Sequence, residues 1–224
     1  ANMGVAHLVA GEFVEAERFL ADTLELARTR RISLEHEAFT LAHLARAQLG
    51  SGNAAAARST AEESVALAKE RGQRFVEIYG QIVLAEALCA DQGARARAAV
   101  ERALLGAAAL VEETGGRVHV PRIAEARARL AQCTGDTGAR EQFLREAHRV
   151  YTAMGASGHA ARLAKELGGE AMHCPSSPLS AVGSTPYGAG GAHPRDGHKQ
   201  SALGRRAPPR RAAHLLSGRA RIAR

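Results

Sequence analysis

The sequence has no tryptophan, and aromatic residues make up only 4% of its 224 positions. A hydrophobic core must therefore be built from Ala, Leu and Val, which favours closely packed helices. Proline is nearly missing from the first 169 positions, where Pro121 is alone; the other six prolines all follow Gly169. No run of about 18 apolar residues occurs, which argues against a membrane-spanning helix. Residues 1–30 carry Glu12, Glu15 and Glu17 where a secretory signal would have a basic start and an apolar stretch. The three cysteines, Cys89, Cys133 and Cys174, are odd in number and far apart. They make neither a disulfide framework nor a zinc ligand pair, so a reducing, cytoplasmic setting is expected.

What is present is unevenly spread. The net charge of +7 suggests a polyanion partner until the chain is divided at Gly169. Residues 1–169 hold 21 Lys and Arg against 21 Asp and Glu, so they are neutral in sum. All of the excess sits in residues 170–224, which are dense in Pro, Gly, Ser and Ala and have few aliphatic anchors. Such a segment cannot bury enough apolar area to offset about 1 to 2 kcal/mol of backbone entropy per ordered residue. It is expected to be a disordered basic tail.

From Glu12 to Leu167 the apolar residues recur at three-and-four spacing, as in Phe13, Ala16, Leu20, Leu24 and Ala27, which marks amphipathic helices. An internal period underlies them. Gly11, Gly52 and Gly93 are separated by 41 and 41; Leu41, Ile82 and Ile123 keep the same offset, as do Leu8 and Leu49, and as do Ala16, Ala57, Ala98 and Ala139. Gly135 falls one residue late. Each period holds two helices with the glycine between them, where a left-handed backbone costs a residue without Cβ little. Helices are expected near 1–10, 12–30, 33–49, 54–71, 74–90, 94–114, 120–133, 137–154 and 158–167. Ser33, Asn53, Asp136 and Ser157 suit N-caps, Pro121 a first helical turn, and Gly155 and Gly168 C-terminal stops. Short links force neighbours antiparallel, and a fixed repeat stacks the pairs. The expected fold is all-α, an α-solenoid of antiparallel helix pairs over residues 1–169 with the tail at 170–224. Subtracting 41 from Ser33 places the first repeat's start before Ala1, so its opening helix is expected to lack about eight residues and to leave an apolar face at Val5, Leu8 and Val9.

Gly11-Glu12-Phe13-Val14-Glu15-Ala16, with Leu20 and Leu24, resembles the turn and second helix of a tetratricopeptide repeat. The resemblance implies that Ala16 lets paired helices approach and that Phe13 fills the groove between them. The period of 41 in place of 34 is similar to the elongated repeats of MalT-type regulators. Val111-Glu112-Glu113-Thr114-Gly115, Ala124-Glu125-Ala126-Arg127-Ala128-Arg129-Leu130, Arg145-Glu146-Ala147-His148-Arg149 and the stretch from Met154 to Leu163 resemble the C-terminal end of large bacterial signalling proteins. In that family a class III adenylate or guanylate cyclase domain and an ATPase domain precede the repeats. The resemblance thus implies a noncatalytic regulatory module that binds a protein or another domain of its parent. It carries over no catalytic residue and no cofactor.

Chemistry-bearing residues have ordinary readings. Gly50-Ser51-Gly52 lacks the lysine of a phosphate-binding loop and reads as a helix turn. His36 and His43 read as solvated or groove-lining, Cys89 and Cys133 as small buried thiols, and no metal site is expected. Registering the repeats on their glycines directs Phe39, Ala42, Arg46 and Leu49, then Val83, Ala87 and Ala90, toward a partner groove suited to an apolar helix. The alternative is polyanion binding, to nucleic acid or anionic membrane, through Arg205, Arg206, Arg210 and Arg211. Deleting 171–224 should leave the circular-dichroism helix signal and the melting temperature nearly unchanged; a large loss of either would refute the division at Gly169.

Overall fold

The computed structural model describes residues 2–169, all within one compact unit of the chain. The expectations for the tail, including Arg205, Arg206, Arg210 and Arg211, lie outside the described residues. Among the described residues the regular structure is entirely helical: α1 (Asn2–Ala10), α2 (Phe13–Arg30), α3 (Glu37–Gly50), α4 (Ala54–Glu70), α5 (Arg74–Gln92), α6 (Arg97–Thr114), α7 (Val120–Thr134), α8 (Thr137–Ala153) and α9 (Ser157–Gly169). Short 3-10 helices at Leu34–His36, Gly93–Ala96 and Arg117–His119 lead into α3, α6 and α7. No described helix is long and apolar enough to cross a membrane.

The junctions explain the helix boundaries. Gly52 has φ +86, in the left-handed region that a Cβ makes costly. Its N–H donates to the Leu49 carbonyl (3.2 Å), and the Asn53 N–H donates to the Gln48 carbonyl (2.8 Å), which together close the end of α3. Asn53 then serves the next helix, because its Oδ1 accepts from the Ala56 N–H (3.3 Å). One residue thus ends one helix and caps the next, leaving no slack between them. The same backbone pair recurs at Gly11 with Glu12, Gly72 with Gln73, Gly135 with Asp136 and Gly155 with Ala156. Asp136 repeats the cap as well, accepting from the Ala139 N–H at 2.9 Å.

Other expected stops and caps differ. Ser33 takes a left-handed conformation (φ 52) and makes no side-chain cap bond, because the 3-10 turn after it delays α3 to Glu37. Ser157 is the first residue of α9, and Gly168 lies within that helix.

Packing follows the pairs. Each helix packs on its neighbours in sequence, and α1, α3, α5 and α7 also contact one another in turn. Of these, α3, α5 and α7 carry the broader buried faces, with seven, ten and seven buried residues against three in α2, four in α4 and five in α6, whereas α1 buries only Gly4. Leu41, Ile82 and Ile123, one period apart, are all buried. Close approach is literal at Gly50, where an added Cβ would stand 2.2 Å from Phe13 Cδ1. Phe13 therefore packs on α3, the first helix of the following pair. In α1, Val9 is 79% exposed, while Val5 and Leu8 are half-buried.

The alanine period holds only in part. Ala16 and Ala57 are fully buried, but Ala98 is exposed and Ala139 half-buried. At the third junction Gly93 has φ 60 and ψ −138, outside the left-handed helical region, and the chain enters the 3-10 turn at once. Winding at about 3.0 residues per turn instead of 3.6 rotates the start of α6, so Ala96 and Val100 occupy the buried stripe. In the fourth repeat the late glycine moves the whole stripe, and Leu144, Ala147 and Tyr151 are buried in α8. Ala57→Phe should cost about 1 to 3 kcal/mol by overpacking, whereas Ala98→Phe should stay within about 0.5 kcal/mol. Urea unfolding midpoints of the two variants check this, and equal shifts would contradict the register.

Candidate interaction surface

The odd-numbered helices bring a line of aromatic and charged side chains together. On α3, Phe39, His43 and Arg46 follow at four and three residues and so share a face. The Phe39 and His43 rings lie 4.1 Å apart between centroids, and His43 lies 4.8 Å from the Tyr79 ring of α5. The Arg122 guanidinium of α7 covers the far side of this group, 4.8 Å from the Tyr79 centroid. His43 Nδ1 is 2.9 Å from the Phe39 carbonyl oxygen, to which it donates. Burial is the main influence on His43 and pushes its pKa down; the Phe39 carbonyl opposes this, and Arg122 adds to the lowering. The imidazole is accordingly neutral at neutral pH.

Two turns beyond Tyr79 on α5, Glu86 is the buried centre of a charge cluster. Its side chain is 4% exposed. Arg46 bonds one carboxylate oxygen, and Arg129 Nη1 stands 3.4 Å from the other. Burial alone would raise the Glu86 pKa, but Arg129, Arg46 and Arg122 outweigh it and bring it down to about 2. Three guanidiniums thus face one carboxylate. Among the described residues no carboxylate lies within 4.0 Å of Arg122, which contacts the ring and the hydroxyl of Tyr79. His119, three residues before Arg122, has its Nδ1 buried without a hydrogen-bond partner. Burial and then Arg122 lower the His119 pKa.

A second polar group adjoins α7. Tyr151 Oη donates to Glu125 Oε1 at 2.7 Å, Arg162 Nη2 donates to Glu125 Oε2 at 2.5 Å, and the Tyr151 ring stacks on His159 at 4.6 Å. Both carboxylate oxygens of Glu125 are engaged, so this group ties α7, α8 and α9 together.

The residues expected from sequence divide on exposure. Phe39 is 36% exposed and borders both the aromatic line and an open groove of about 610 Å³ that it lines with His36, Gln73 and Phe75. Arg46 belongs to the Glu86 cluster, and Leu49 is half-buried. Ala42, Val83 and Ala87 have no exposed surface, because α3, α5 and α7 meet directly over them. They pack the fold and offer nothing to a partner. Tyr79, Glu86, Arg122 and Arg129 were not anticipated, since they stand at different offsets within the 41-residue period. The available signal was composition: polar and aromatic residues interrupting the apolar run of α5, and three arginines in α7. Of the cysteines, Cys89 is buried as expected, but Cys133 is exposed at the end of α7, with its Sγ 3.7 Å from the Cys89 carbonyl oxygen.

No protein-family model matches the chain, and no curated protein matches its sequence.

Glu86 makes stability depend on acid in a defined direction. Its pKa falls from an ordinary value near 4.5 to about 2 on folding, so the stabilisation is fully present above about 4.5 and fades as pH drops toward 2. Its upper bound is about 3 kcal/mol. Glu86→Gln should lower stability at pH 7 by about 2 to 3 kcal/mol and flatten the loss between pH 4.5 and 2, as read by urea unfolding across pH; an unchanged acid profile would contradict the cluster.

Proposed function

We propose that residues 1–169 form a tetratricopeptide-like α-solenoid that acts as a noncatalytic interaction module, the regulatory segment of a cytoplasmic bacterial signalling protein with cyclase and ATPase domains. Three features support the solenoid reading: antiparallel hairpins at a near-constant pitch, glycine junctions at Gly11, Gly52, Gly93 and Gly135, and serial contact of α1, α3, α5 and α7. The parentage rests on the sequence resemblance alone.

The observation that carries the interaction role is the partly exposed line of Phe39, His43, Tyr79 and Arg122 across three successive odd-numbered helices. Aromatic and guanidinium groups dominate protein interfaces because they combine large contact area with directional bonds. A structural role would need only packing at these positions, and alanine or leucine would fill it. Polyanion binding by the tail is the second reading, favoured by the confinement of the whole net charge of +7 to residues 170–224.

Binding in trans separates the two. The DNA upstream of this coding segment, read in all three frames, supplies the neighbouring polypeptide, and its capture by the immobilised full chain is measured between about 50 and 200 mM salt. Capture that persists at the higher salt and is lost in the Phe39→Ala, Tyr79→Ala double variant supports the module. Binding through four tail arginines should weaken about a hundredfold over that range, and capture that does so would sink the module in favour of the tail. Upstream frames encoding neither a cyclase nor an ATPase would overturn the parentage.

A further inference from the structure

We propose that Arg122, flanked by Arg46 and Arg129, receives a carboxylate side chain of an acidic peptide segment lying across α3, α5 and α7. This names the partner chemistry of the interaction line and rests on that reading. The argument begins with charge. Arg46 and Arg129 share Glu86, and both of its oxygens are taken. Arg122 is left with the ring and hydroxyl of Tyr79 and, apart from the longer-range pull of Glu86, no carboxylate within 4.0 Å among the described residues. A guanidinium withdrawn from water loses hydration that a π face only partly replaces, and the ordinary remedy is an oxyanion held by its N–H fork. The cluster as it stands carries two positive charges more than negative ones, within a region whose 21 basic and 21 acidic residues balance overall. That surplus is local and complementary to an anion.

The neighbourhood selects a peptide over a free anion. His43 is neutral, and with Phe39 and Tyr79 it makes a mostly apolar strip leading away from Arg122 along α5 to α3. A free anion would use the arginine and leave that strip bare. A chain bearing Glu or Asp beside apolar residues would use both. Arg28 pairs with Glu37 and Glu63, and Arg58 with Glu62 and Asp91; Arg18 and Arg127 lie over Phe19 and Phe143, but neither is among the arginines gathered around Glu86.

The experiment uses the full chain with Arg205, Arg206, Arg210 and Arg211 changed to Gln, which removes the tail's own attraction for anions. Fluorescence anisotropy follows a labelled Leu/Glu peptide, its Leu/Gln counterpart, and competition by inorganic phosphate at constant ionic strength. The Leu/Glu peptide should bind, and the Leu/Gln peptide at least about tenfold more weakly. Arg122→Gln should weaken the Leu/Glu peptide about tenfold or more at a temperature where circular dichroism shows the variant folded, Arg122→Lys should weaken it less, and Arg58→Gln should leave it alone. If Arg122→Gln unfolds the chain, the Arg122→Lys series and the Leu/Gln comparison decide. Equal affinity for phosphate and the Leu/Glu peptide would overturn the assignment in favour of a free-anion site, and so would insensitivity to both Arg122 variants. Salt-resistant capture of the upstream segment alongside such insensitivity would sink this assignment alone; the reverse pattern would sink the module reading and leave the anion site standing.

Discussion

Everything in residues 2–169 depends on how the chain turns between helices. At five of the eight junctions a left-handed glycine closes one helix, and the next residue both bonds back into that helix and begins the following one. With the link reduced to two or three residues, the two helix axes have little freedom and must run antiparallel. Their separation is then set by side-chain size, which is why Ala16, Ala57 and Ala61 are fully buried at hairpin interfaces. A core with few aromatic residues is stable here because the backbone geometry lets small side chains reach one another.

Close packing has an electrostatic consequence. When α3, α5 and α7 meet, Glu86 is taken out of water with arginines from two other helices around it. A buried carboxylate is costly unless its bonds are satisfied, and Arg46 and Arg129 satisfy them. The arrangement ties three helices through one side chain and leaves Arg122 against Tyr79, ring and hydroxyl, with no carboxylate in direct contact. Stability and the candidate surface therefore share residues: the same packing that orders the line also concentrates positive charge beside it.

Helical periodicity and glycine spacing made most of the fold readable in advance. The helix boundaries agree to within a few residues, Asn53 and Asp136 cap as expected, and Gly11, Gly52, Gly93 and Gly135 all occupy hairpin junctions. The misreadings have local causes. Ala98 is exposed because the 3-10 turn after Gly93 rotates α6, and no spacing rule distinguishes that turn from the three-residue link at Gly52. Ala42, Val83 and Ala87 were read as groove-lining because a repeat register gives direction around a helix axis and says nothing of how deep the next helix sits. The line that does reach the surface joins Phe39, Tyr79 and Arg122, whose places in the 41-residue period differ by only one or two residues and whose types differ altogether, so a search for identical positions passes over it.

The order of residues alone was enough to specify helices, their ends and the pairing of neighbours, since these depend on contacts within a few turns of chain. Periodicity also separated a charge-balanced region from a basic one by simple counting. What required three dimensions was depth and convergence: which small residues vanish between helices, and which arginines from α3 and α7 arrive at one carboxylate on α5. Those outcomes depend on rotations of a few tens of degrees at each junction, accumulated over distant segments, and such angles are fixed by packing between helices and leave no mark in the spacing of any one of them.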